Sequence, residues 1–300
     1  MRHHQPVARR AVMAGVAASL ACSHRPIAAT TPQPPSGLPR GLFLDIRWTG
    51  SVWLAVGEAG RIARSDTGET WQLLQTPTTA TLTSLLVGRG QDVWCVGHLG
   101  TILASSDGGQ RWRLEHQDRE MILLSITLTE AGPLAVGAYG SALQHTGTRW
   151  QRIAIDDEDL HWNAALSING QTWLAGEGGR IVRGQPGNWQ LLTEGGGSFF
   201  TLAPTATGVI AGGLGGRLIA VDADGRVTPI PAGSLTWQGA NVDSNGRVVL
   251  VGLGGAVATL AAGHLRLANR ADRMALAGLA SGPRGVFAVG EAGIVPLRLP

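Results

Sequence analysis

The side chains able to do chemistry in this 300-residue chain recur at equivalent places. Directly after an apolar run and its glycine come Glu58, His98, Ala138, Glu177, Leu214, Leu253 and Glu291. Three residues further on come Arg61, Thr101, Ser141, Arg180, Arg217, Ala256 and Ile294. Glu and Arg coincide in the first and fourth copies, which predicts local ion pairs and a solvated, self-paired rim. The same residues support a second reading. A planar guanidinium grips a partner's carboxylate or backbone through two parallel hydrogen bonds, so Arg61, Arg180, Arg217, Glu58, His98, Glu177 and Glu291 would form a partner-binding face.

Other chemistries are poorly supplied. Glycosidases need two carboxylates about 5–9.5 Å apart, and Glu58 and Glu291 become neighbours only if the chain closes on itself. The inter-blade loops could bring His116 and His161 near each other, but two His without a further patterned ligand do not make a zinc site. The acidic run Asp156-Asp157-Glu158-Asp159 lacks the alternating Asp spacing of a calcium loop and reads as a solvated loop. Gly212 to Gly216 precede a strand rather than a helix, so they form no phosphate cradle. No catalytic set, metal or cofactor is expected.

All 24 basic residues are Arg, against 21 acids, for a net charge of +3. Four of these Arg, and no acid, fall within residues 1–29; the remainder is 20 Arg against 21 acids, a net of −1. The body therefore carries no overall footprint for nucleic acid. Residues 1–29 read as an export signal. Arg9-Arg10 precedes the apolar run Ala11 to Cys22, and a small-residue end follows at Ala28-Ala29, in a twin-arginine-like order. Ser19-Leu20-Ala21-Cys22 is an imperfect lipoprotein box, so lipid attachment at Cys22 and cleavage after Ala29 both stay open. No later apolar run reaches the roughly 20 residues of a membrane span. A periplasmic monomer is expected. Cys95, flanked by Trp94 and Val96, reads as inert core.

The elements that place these residues are legible in a repeat. An apolar strand, Gly-x-x-Gly and a second apolar strand appear seven times, with first glycines at 57, 97, 137, 176, 213, 252 and 290. The successive intervals are 40, 40, 39, 37, 39 and 38. Short β-rich runs such as Thr81–Val87 and Thr101–Ser105, broken by Gly, Asp and Ser, exclude helical arrays of similar period. Four strands per unit predict an all-β, seven-bladed β-propeller of four-stranded antiparallel blades over residues 41–300. The last unit stops one strand short. The proline-rich segment 30–40 is the expected donor, on an outer edge where proline is tolerated, and would close the ring.

A second phrase lies between the third and fourth strands of the early units: Ser65-Asp66-Thr67-Gly68-Glu69-Thr70-Trp71, and Ser105-Ser106-Asp107-Gly108-Gly109-Gln110-Arg111-Trp112. The Asp is expected to accept backbone N–H bonds of the turn, Gly68 and Gly109 to take positive φ, and Trp71 and Trp112 to fill the gap between blades. Trp150 and Trp189 stand at this place in the next two units without the Asp, and both residues are expected to be lost afterwards. The phrase resembles the Asp-box of sialidases and other repeat propellers, where it staples a hairpin away from the active site. The Arg triad, Arg-Ile-Pro phrase and Tyr nucleophile of sialidases have no counterparts: Tyr139 is the one tyrosine and sits in a repeat turn.

Over its whole mature length the repeat resembles the photosystem II stability and assembly factor family, most closely in Val93–Trp112. Those proteins are exported seven-bladed propellers. The resemblance implies a non-enzymatic role, binding a newly inserted membrane-complex subunit, with a thylakoid lumen location in a photosynthetic host. A carbohydrate-binding or glycoside-hydrolase propeller of the Asp-box kind is the alternative.

Overall fold

The computed structural model describes residues 41–300. The expected closing strand within residues 31–40, the export signal and Cys22 lie outside them. Seven antiparallel sheets follow one another along the chain. In blade 1 the strands are β1 (Phe43–Trp48), β2 (Trp53–Gly57), β3 (Ile62–Ser65) and β4 (Gln72–Leu73), paired in that order. Blades 2 to 6 repeat this four-stranded meander, and blade 7 has three strands among the described residues: Leu276–Gly282, Gly285–Gly290 and Gly293–Leu297. Innermost strands contact one another in sequence around the ring, and β1 meets the innermost strand of blade 7. The fold is a seven-bladed β-propeller.

Burial follows position within the blade. The second strand is buried on both faces, as in Trp-Leu-Ala-Val-Gly of β2 and Val-Val-Leu-Val-Gly at 248–252, because a neighbouring blade covers each side. Outermost strands such as β4 are exposed. The core is divided into seven clusters, and each joins two adjacent blades. The junction of blades 7 and 1 is aromatic: Trp53 lies 4.9 Å edge-on from Phe287, and Phe43, Ala280 and Val289 pack around them. Apolar surface removed from water at these junctions, at about 25 cal/mol per Å², favours closure of the ring.

Each innermost strand is bulged at the same place, for example between Phe43 and Asp45 and between Trp162 and Ala164. The bulged residues Leu44, Thr83, Leu124, Asn163, Phe200, Gln238 and Ala277 all line the central channel, a cavity of about 120 Å³. Side chains along these strands tie blade to blade. Thr83 Oγ1 donates to the Leu123 carbonyl (2.9 Å), Asn163 Nδ2 to that of Phe199 (2.8 Å), and Ser125 Oγ accepts the N–H of Ala165 (3.0 Å).

Candidate functional site

The Gly-x-x-Gly turns join second to third strands, and the blade-to-blade connections lie beside them, so both emerge on one face. Two constraints explain the two glycines. A Cβ on the first, as at Gly97, would occupy the space of the Thr81 carbonyl oxygen just ahead of the innermost strand; the same close approach recurs in all seven blades. The second takes positive φ in all seven blades, for example 68° at Gly60, 82° at Gly216 and 83° at Gly293. In blade 7, Gly290 also pairs with Gly293 across a two-residue hairpin.

Each turn is pinned by a backbone bond from the residue after the first glycine to the carbonyl preceding the innermost strand, at 2.8–3.1 Å. The three glutamates at that position complete the clasp. Glu58 Oε1 accepts the N–H of Leu42 (3.1 Å), Glu177 Oε2 that of His161 (3.2 Å), and Glu291 Oε2 that of Ala275 (3.0 Å). These carboxylates serve the backbone of their own blades.

The arginines are engaged as well. Arg61 pairs with Glu58 at 2.9 Å. The expected pairing of Glu177 with Arg180 is corrected: Arg180, 9% exposed, turns to Asp156 of the preceding connection at 2.9 Å. Arg217 pairs with no carboxylate among the described residues. Its Nη1 donates to the carbonyls of Gly195 and Gly197, both at 2.6 Å, and its guanidinium lies 4.3 Å from the Phe199 ring centre. Burial lowers the pKa of Arg217. Of the seven residues named for a partner face, His98 and Glu291 are exposed at their turns, and the other five are half-buried or buried.

His116 and His161 have separate roles. His116 Nδ1 lies 2.8 Å from the Gly100 carbonyl, whereas His161 stands edge-on to Tyr139 at 4.8 Å. Among the described residues no three His, Cys, Asp or Glu side chains come together as metal ligands.

The opposite face carries the turns between third and fourth strands. In blade 2, Asp107 Oδ1 accepts the N–H groups of Gln110 and Arg111, both at 3.0 Å. The Arg111 side chain, bonded to Oδ2 at 2.8 Å, holds this carboxyl well below the usual carboxylate range. Trp112 Nε1 donates to the Gly109 carbonyl, and Trp71 Nε1 to that of Gly68, each at 3.1 Å. Trp71 packs near Phe287 of blade 7, and Trp112 against the cluster between blades 1 and 2. Two expectations change. Asp66 pairs with Arg64 at 2.9 Å, and Ser65 Oγ takes the turn's Gly68 N–H instead (2.7 Å). Blade 5 retains an Asp turn, in which Asp222 Oδ1 accepts the N–H groups of Asp224 (3.0 Å) and Arg226 (2.8 Å). Its signal was Asp-x-x-Gly-Arg without a following Trp.

Sequence reasoning also missed Glu115, whose Oε2 accepts the indole N–H groups of Trp94 (3.2 Å) and Trp150 (3.1 Å) from adjacent blades.

No protein-family model and no curated protein matches this sequence. Solved structures do match in fold. The structure of YCF48 bound to a D1 peptide superposes with a TM-score of 0.67 and 20% identity, covering 86% of this chain and 93% of that one. YCF48 from Cyanidioschyzon merolae gives 0.65 and 16%, covering 86% and 95%. The WD40 β-propeller domain of Doa1 gives 0.70 and 13%, covering 84% and 91%. Likeness at this identity establishes a shared propeller architecture.

Proposed function

We propose that this protein is an exported, non-catalytic propeller that docks a protein partner on its Gly-x-x-Gly face during assembly of a membrane complex. The observation that carries the reading is the fold shared with YCF48, a propeller solved with a D1 peptide bound. A peptide-binding role suits a rigid ring that gathers its turns and connections on one side. The occupied carboxylates of Glu58 and Glu291 favour binding over glycoside hydrolysis, since each already accepts a backbone N–H. The order of residues 1–29 supports export to the periplasm, or to a thylakoid lumen in a photosynthetic host.

Charge reversal at Arg61, Arg180 and Arg217 together does not isolate docking. Arg180 and Arg217 hold Asp156 and the loop at Gly195–Gly197, so the triple change removes structural bonds as well. Photo-crosslinking separates the two faces. A photoreactive residue at Leu214 should capture a membrane-complex subunit in the producing cell, and one at Asp224 on the opposite face should not. Equal capture from both positions, or turnover of an aryl-glycoside panel by the purified protein, rejects the proposal.

A further inference from the structure

Half of the large exposed apolar side chains among the described residues stand on the Gly-x-x-Gly face: Leu99, Tyr139, Leu214 and Leu253, in the turns of blades 2, 3, 5 and 6. Two of them occupy a strained position. The residue before the second glycine is left-handed in each of these turns. Gly178, Gly215 and Gly254 fill it in blades 4 to 6, but Leu99 (φ 57°) and Tyr139 (φ 53°) fill it in blades 2 and 3. Glycine would satisfy the turn there, yet the chain places large apolar side chains in solvent.

Tyr139 is the most exposed of them, at 68%. His161 supports one edge of its ring, and the Gly140 N–H bonds the Leu160 carbonyl (2.9 Å), which fixes the 156–161 loop alongside. That loop presents Asp157, Glu158 and Asp159, all exposed and in no ion pair among the described residues. Leu99, in the preceding blade, walls a depression of about 550 Å³ bounded by Thr76–Ala80, Gln117 and Arg119. Around Tyr139 the face therefore offers an aromatic ring and unpaired carboxylates, while Arg61, Arg180 and Arg217 are already bonded.

We infer that this part of the face takes a protein segment bearing an arginine or lysine beside apolar side chains. The cation lies over the Tyr139 ring, within about 6 Å of its centre, and pairs with the loop carboxylates. The apolar neighbours cover Leu99 and its depression. The inference rests on the docking function proposed above and specifies the chemistry of its partner.

The test uses fluorescence anisotropy with the purified protein and two labelled synthetic peptides, one alternating Arg with Leu and one alternating Glu with Leu. The Arg peptide should bind, and the Glu peptide should not. Tyr139→Gly keeps the turn's conformation and should weaken binding of the Arg peptide at least about tenfold, with thermal stability retained. The triple change Asp157→Asn, Glu158→Gln and Asp159→Asn should weaken it comparably and flatten its salt dependence. Binding unaffected by either variant, or preference for the Glu peptide, overturns the inference. Sedimentation of the protein with phosphatidylcholine vesicles, lost in Tyr139→Gly, overturns it in favour of a lipid surface. In each of these cases the photo-crosslinking from Leu214 still decides independently whether the face docks a protein.

Discussion

Asp45 Oδ2 in the innermost strand of blade 1 accepts the backbone N–H of Leu85 in blade 2, at 2.8 Å. The carboxylate also accepts from Ile46 N–H and Ser84 Oγ and pairs with Arg47 at 3.0 Å. Where Ser125 ties blades 3 and 4 with a neutral hydroxyl, blades 1 and 2 are joined by an acid that is 6% exposed.

The acid makes this joint pH-dependent. Burial raises the carboxyl pKa of Asp45 above 3.8, outweighing Arg47 and the N–H bonds that favour ionisation. The folded state then holds the proton more tightly than the unfolded chain does. Stability from this group is fully present at pH below the ordinary carboxylate value and falls as pH rises through the raised one. Asp45→Asn removes that slope. Urea midpoints of both proteins across the acid range should show the native chain losing ground to the variant as pH rises; a constant difference rejects the assignment.

Two positions of one turn should respond differently. Gly97→Ala drives a Cβ into the Thr81 carbonyl and should cost about 1–3 kcal/mol, as overpacking does. Leu99→Gly relieves a left-handed residue and should stay within about 1 kcal/mol of the parent. Denaturant unfolding of both variants checks the pair.

The tryptophans should rank by burial. Trp53, 1% exposed where blade 7 meets blade 1, should cost about 3–5 kcal/mol on replacement by Ala. Trp112 is only partly buried, so Trp112→Ala should cost less, about 2 kcal/mol. A larger loss at Trp112 would show that the blade 2 turn, rather than the 7–1 junction, limits stability.

Glu115 should act as a shared acceptor. Glu115→Ala leaves the indole N–H groups of Trp94 and Trp150 without their partner and should cost about 1–3 kcal/mol with a shift in tryptophan emission. Unchanged emission and melting temperature would show that solvent replaces the carboxylate freely.

Cys95 should be silent. It is fully buried, and burial raises its thiol pKa. In a Cys22→Ser background the folded protein should not react with a thiol reagent at mildly alkaline pH, and should do so on unfolding. Reaction at the folded stage would require local opening of blade 2.

The architecture was legible because it is periodic. Glycines at near-constant spacing, apolar runs of strand length and turn-forming clusters are local features, and seven copies of one local answer leave a ring of sheets as the consistent solution. The candidate site was less legible because spacing gives position and not direction. Arg180 and Glu177 are placed like Arg61 and Glu58, yet Arg180 turns to Asp156, which only the packing of blade 3's exit connection brings within reach. Arg217 finds carbonyls for the same reason. Tyr139 read as a repeat-turn residue, and the loop beside it as a solvated acidic run. Their meeting depends on the backbone bond between Gly140 and Leu160, formed when adjacent blades dock. Spacing along the chain is enough to place these residues on the Gly-x-x-Gly face. Which of them are bonded there and which remain exposed follows from packing, because partners such as Arg180 and Asp156, or Gly140 and Leu160, are distant in the chain and meet only when blades dock.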